Sequence, residues 1–178
     1  MKKKDIPNLL SVLRIVLVPI FVYLFFTDRT AAAVAVFAFS GITDVLDGYI
    51  ARKYNYISDL GKILDPFADK LTQFTAFICL YISSLVPLWM PAVYFVKEIL
   101  TLIGAVVVFR KGKRVVKSHV FGKLATFFVF AFVIVVAMFG KSIPSYVIST
   151  VCVLMCLYFV FSCIMYVRTE IKDGMKDA

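Results

Sequence analysis

The chain has 178 residues, 62% of them hydrophobic, with a formal net charge of +9 at pH 7 and a mean hydropathy of +0.93. Soluble domains are about 45–50% apolar, so this composition argues against an ordinary soluble enzyme and for an all-α integral membrane protein. The positive charge does not argue for a nucleic-acid partner, because the basic residues cluster in short stretches between apolar runs, where they meet anionic lipid headgroups.

Residues 1–7 are basic and polar, with Asp5 or Asn8 suited to cap the helix that follows. Residues 9–26 are long enough to span a bilayer, interrupted by Arg14 and bent at Pro19. This run is long and lacks a small-residue cleavage site, so the expectation is a first span and not a cleaved signal peptide. Thr27, Asp28, Arg29 and Thr30 form a short turn. The predicted spans continue over 31–52, 59–85, 87–109, 121–139 and 143–167, each near the ~20 residues that cross a hydrocarbon core. Helices are required because an open backbone finds no water there. Six spans in a single domain over 1–178 are therefore expected.

Lysine and arginine fall unevenly between these spans. One side receives Lys2, Lys3, Lys4, Arg52, Lys53, the basic stretch from Arg110 to Lys117, Arg168, Lys172 and Lys176; the other receives only Arg29 and Lys141. The bias predicts both termini in the cytoplasm and a multi-pass protein of the plasma or inner membrane. Cys79, Cys152, Cys156 and Cys163 lie in apolar runs without a CxxC pair and read as small buried hydrophobes. His119 is the only histidine, which argues against a histidine metal site or a catalytic triad.

The most informative stretch is 44–69. Asp44 and Asp47 share a helix face, as do Asp65 and Asp69 one turn apart. Gly48, Ala51 and Arg52 follow the first pair, and Gly61 precedes the second by one turn. Asp59, between the pairs, suits capping of the next helix. A turn near residues 54–58 would fold one helix back on the other and bring four carboxylates together at the cytoplasmic face. Four unpaired anions repel strongly. Two divalent cations, Mg²⁺ or Mn²⁺, are the simplest remedy for an all-oxygen cluster, and paired metals among carboxylates suit phosphoryl chemistry. The plainer alternative is that the aspartates merely cap interfacial helix ends. Two would fit that; four, with Gly48, Arg52 and Gly61 interleaved, fit it poorly. Glycines let a phosphate approach a helix backbone.

The spacing Asp44-xx-Asp47-Gly48-xx-Ala51-Arg52, eight residues, Gly61-xxx-Asp65-xxx-Asp69 resembles the signature of the CDP-alcohol phosphotransferases, with each fixed position present. The stretches 6–10 and 64–71 are most similar to the bacterial phosphatidylglycerophosphate synthase branch. The resemblance implies a phospholipid-synthesising transferase that moves the phosphatidyl group of CDP-diacylglycerol to an alcohol and releases CMP. It implies that Asp44 and Asp65 bridge both metals, that Asp47 binds the first and Asp69 the second, and that Asp69 is the catalytic base. It places Asn8, Gly48, Ala51, Arg52, Ser58 and Gly61 at the CDP-lipid, and it implies a homodimer.

The acceptor is open. Lys97, Arg110, Arg114, Lys117 and Lys123 are candidates for an anionic alcohol such as glycerol 3-phosphate, which would give phosphatidylglycerophosphate. Two positions depart from that branch: Lys97 stands where its members carry arginine, and Ala125 where they carry a second lysine. Lysine lacks the bidentate phosphate contact of arginine. Phosphatidylglycerol, giving cardiolipin, or an inositol phosphate are the alternative acceptors. A divalent-cation transporter or a non-catalytic membrane protein is a remote alternative, because the far halves of the spans are nearly all apolar.

Overall fold

The computed structural model describes residues 6–54, 61–110 and 120–174, and the side chains of 9–46, 48, 53, 61, 64–103 and 124–165. The described residues form six helices: α1 (Ile6–Phe26), α2 (Thr30–Tyr54), α3 (Gly61–Ile82), α4 (Trp89–Arg110), α5 (Val120–Phe139) and α6 (Ser145–Gly174). They match the six apolar runs to within a few residues, except that α6 continues past the predicted end at residue 167. Helix α1 begins at Ile6, so Asn8 lies inside it and does not cap it. Pro7 falls in the first turn, where its missing N–H is of no consequence. Helix α2 persists through Tyr54, and Asp59 lies outside the described residues. Both α1 and α3 continue through their internal prolines, Pro19 and Pro66.

Helix α3 is central, packing against α1, α2, α4 and α5; α1 also lies along α2, α2 against α5, and α6 against α4 and α5. Among the described residues, Leu9–Phe26 and Ser145–Met165 are each long and apolar enough to cross a membrane, and shorter apolar stretches cover Thr30–Leu46 and Leu124–Phe139. The outward faces are apolar as well: Val16, Ile20, Leu102, Ile103, Phe127 and Leu157 are all exposed.

The core is aromatic. Phe21, Phe37, Phe77, Leu80, Met90, Phe132 and Phe159 are buried together. Phe37 stacks on Phe130 with centroids 4.7 Å apart, and Phe77 lies 5.0 Å from Tyr94; such pairs contribute about 0.5–1.5 kcal/mol each beyond area burial. Gly41 lets α2 and α5 close, since a Cβ there would meet the Phe130 ring at 2.6 Å.

Two tight turns at the core end share one device. After α3, the Leu85 N–H bonds to the Leu80 carbonyl at 3.0 Å and the Ser84 N–H to that of Tyr81 at 2.8 Å, with Ser84 at φ 57°. After α1, the Arg29 N–H bonds to the Leu24 carbonyl at 3.2 Å, with Asp28 at φ 56°. A left-handed residue closing the last turn with a backward hydrogen bond is a Schellman-type end, usually built on glycine. The four cysteines are free. The sulfur of Cys156 lies 3.8 Å from that of Met90.

Candidate active site

The acidic stretch divides between the last turns of α2 and the first turns of α3. Helix α1 lies across both, and Ser11 and Arg14, three residues apart on one face, meet the aspartates. The Ser11 hydroxyl donates to Asp65 Oδ1. Arg14 Nη1 donates to Asp44 Oδ1 at 2.5 Å, and Nη2 is 3.9 Å from Asp65 Oδ1. The Arg14 side chain is 1% exposed, whereas those of Asp44 and Asp65 retain 38% and 33%. A charge buried this deeply requires a partner. The two carboxylates supply it, meeting the guanidinium on their inner side and remaining open on the other.

Asp69 is more enclosed, at 14% exposure. Its Oδ1 accepts a hydrogen bond from Gln73 Nε2 at 2.5 Å, and its Oδ2 is 3.3 Å from Lys70 Nζ. Both donors lead to α4. The Tyr94 hydroxyl donates to Gln73 Oε1. Lys70 Nζ lies 3.1 Å from Glu98 Oε2, and Lys97 Nζ 2.5 Å from Glu98 Oε1.

Asp44 is within electrostatic range of both Asp65 and Asp69, so three of the four aspartates share one field. Carboxylate oxygens are the donors that hard divalent cations require. The described contacts of Asp44 and Asp65 all fall on Oδ1, which leaves a second oxygen of each for another partner. Among the described residues no group of three acidic, histidine or cysteine side chains closes on one point; Asp69 is engaged with Gln73 and Lys70, and the Asp47 side chain is outside the described set. The donor chemistry fits a divalent ion, while the described side chains do not by themselves complete its shell.

Gly48 sits one turn beyond Asp44, partly buried, and Gly61 is the buried first residue of α3. Asn8 belongs to α1, Ala51 and Arg52 to α2, Arg110 to α4 and Lys123 to α5, with side chains outside the described set. Ser58, Arg114 and Lys117 lie outside the described residues altogether. Lys97 is 12% exposed, paired with Glu98, and 5.8 Å and 5.6 Å from the ring centroids of Tyr94 and Phe159.

Sequence reasoning passed over Ser11, Lys70, Gln73 and Tyr94, and noted Arg14 only as an interruption of an apolar run. For Arg14 the signal was present: a lone arginine amid aliphatic residues requires a buried anion. Gln73 is four residues after Asp69 and therefore on its face. Tyr94 carried no such sign, because its contact depends on how α4 packs on α3.

Comparison with known proteins shows the family. The sequence profile of the CDP-alcohol phosphatidyltransferase family matches residues 4–168. The chain is 36% identical over 128 residues to a CMP-forming cardiolipin synthase of Streptomyces coelicolor, covering 68% of this chain and 60% of that protein. It is 47% identical over 79 residues to a CDP-diacylglycerol–glycerol-3-phosphate 3-phosphatidyltransferase of Pseudomonas fluorescens, covering 43% and 40%. A protein of the same description from Rickettsia typhi is 44% identical over 71 residues, covering 38% and 40%. The chain thus spans about three fifths or less of the length of these relatives. With the profile matched over nearly all of its helices, the chain belongs to the CDP-alcohol phosphatidyltransferase family.

Proposed function

We propose that the protein is a phospholipid-synthesising transferase of the plasma or inner membrane that moves the phosphatidyl group of CDP-diacylglycerol onto a small alcohol and releases CMP. In this reading residues 1–178 form one domain, all six helices cross the bilayer, and both termini and the acidic end face the cytoplasm. The exposed apolar faces of the helices and the one-sided distribution of lysine and arginine support that orientation. The observation that carries the reaction is the bridging of Asp44 and Asp65 by Arg14 across the ends of α2 and α3, with Asp69 within electrostatic range of Asp44.

A pair of divalent cations, Mg²⁺ or Mn²⁺, would be held by Asp44, Asp47, Asp65 and Asp69 and would polarise the diphosphate and stabilise departing CMP. The chain's own residues do the rest. Gly48 and Gly61 leave room for the diphosphate beside the backbone. Arg52 contributes a fixed positive charge to a phosphate, and Asn8, Ala51 and Ser58 complete the CDP-lipid contacts. The acceptor oxygen bonds to the phosphorus that carries the diacylglycerol, the bond from that phosphorus to the CMP oxygen breaks, and Asp69 takes the hydroxyl proton. A carboxylate beside the attacking oxygen is suited to that transfer.

Glycerol 3-phosphate is the acceptor we assign, with Arg110, Arg114, Lys117 and Lys123 around its phosphate and Lys97 at the inner edge. A second reading keeps the donor and takes phosphatidylglycerol, giving cardiolipin. Two observations favour it: Lys97 is already neutralised by Glu98, and the similarity to the Streptomyces cardiolipin synthase is the longer one. In either case the enzyme works as a homodimer.

The test uses purified protein in lipid nanodiscs with CDP-diacylglycerol, Mg²⁺ and a panel of alcohols, with lipid products identified by mass. Acceptor-dependent CMP release with phosphatidylglycerophosphate as product is expected. A cardiolipin product transfers the assignment to the second reading. Failure of every alcohol to release CMP rejects the transferase.

A further inference from the structure

We infer that helix α4, which carries none of the acidic motif, fixes the orientation of Asp69 through two arms, Tyr94–Gln73 and Glu98–Lys70, which makes Tyr94 and Glu98 positioning residues for the transfer step. The inference rests on the proposed role of Asp69 as proton acceptor.

An aspartate on a helix can swing about two side-chain torsions, and a proton acceptor works only in a narrow range of positions relative to the attacking oxygen. Asp69 is restrained at both oxygens by separate donors, Gln73 Nε2 on Oδ1 and Lys70 Nζ on Oδ2. Each donor is itself held. A carboxylate only accepts, so the Gln73 amide must present its NH₂ to Asp69 and its carbonyl elsewhere. The Tyr94 hydroxyl, donating to that carbonyl, locks the amide in this sense. Tyr94 cannot readily retreat, since its ring lies 5.0 Å from that of Phe77 and 5.9 Å from that of Phe159. Gln73 and Tyr94 are both buried, so water is a poor substitute for either contact.

The second arm works by charge. Lys70 is shared between Asp69 and Glu98, and Glu98 between Lys70 and Lys97. The four charges sum to zero. Without the carboxylate of Glu98, Asp69 would be the anion left to Lys70 among the described residues, and Lys70 would bind it more closely, holding Oδ2 away from the acceptor. Supporting groups of this kind around a reactive side chain are typically worth 10–100-fold in activity or affinity.

The test measures CMP release in nanodiscs with both substrates varied, for Tyr94→Phe, Glu98→Gln, Asp69→Asn and the double variant Asp69→Asn/Tyr94→Phe, together with thermal unfolding of each. Tyr94→Phe and Glu98→Gln are each expected to lower kcat about 10-fold with both KM values within about twofold of the parent. In the Asp69→Asn background, Tyr94→Phe is expected to leave the residual rate unchanged, because its effect passes through Asp69. The inference is overturned if both single variants keep the parental kcat, if KM rises while kcat holds, or if Tyr94→Phe lowers the rate equally with and without Asp69. Normal turnover by Asp69→Asn is a separate failure, which removes the proton-acceptor role and the inference with it. Tyr94→Phe keeps the ring in its packing, and Glu98→Gln, whose carboxylate also lies close to the Tyr94 hydroxyl, reads the second arm.

Discussion

The two ends of this helical bundle are built on opposite principles. At one end Ser11, Arg14, Asp44 and Asp65 of α1, α2 and α3 are joined side chain to side chain, with the two carboxylates still about one-third exposed, and Asp69 lies nearby on Gln73 and Lys70. At the other end Phe21, Phe37, Phe77, Leu80 and Met90 pack in one buried apolar cluster, and turns of a few residues close on backbone hydrogen bonds. The apolar end holds the helices in register. The acidic end sets carboxylates of two helices against basic side chains, Arg14 on Asp44 and Asp65 and Lys70 on Asp69, the kind of electrostatic arrangement found where chemistry occurs. If the proposed function holds, stability and reactivity occupy different halves of the same helices, and substitutions should separate them.

The largest effect is expected at the acidic end. Asp69→Asn should lower CMP release by at least about 100-fold, the scale of a lost general base, while its thermal midpoint stays near that of the parent. Equal losses of rate and stability would break the division between the two ends. Next comes Arg14→Met, which leaves Asp44 and Asp65 without their inner counter-charge. Breaking an enclosed ion pair costs about 3–5 kcal/mol; with carboxylates that keep access to solvent, about 2–4 kcal/mol is expected, read from unfolding in detergent. Arg14→Lys should recover part of it.

How much of this was legible in the sequence differs between the ends. The aspartates, their spacing and the six helices could be read directly, because the motif is local and the apolar runs are long. Helix limits shifted by a few residues where capping was misjudged, as at Asn8, which lies inside α1. The partners of the aspartates were not legible. Ser11 and Arg14 reach Asp65 and Asp44 only because α1 crosses both helices, and Tyr94 reaches Gln73 only through the packing of α4 on α3. Local periodicity shows which residues share a face. It does not show which two faces meet.

Smaller effects sharpen the comparison from the apolar end. Gly41→Val drives a side chain into the Phe130 ring, which a Cβ alone would meet at 2.6 Å. A loss of about 1–2 kcal/mol is expected from overpacking, visible as a lowered thermal midpoint. Ser84→Gly relieves a left-handed serine at φ 57° and should stabilise the fold by up to about 1 kcal/mol, with CMP release at the parental rate.

The central claim is that the aspartates of α2 and α3 form one cation site, and Mn²⁺ binding tests it most directly. Electron paramagnetic resonance of purified protein titrated with Mn²⁺, without substrate, should show saturable binding of a coupled pair of ions per chain, lost in Asp65→Asn and competed by Mg²⁺. Binding that does not saturate, or that persists unchanged in Asp65→Asn, would contradict the account.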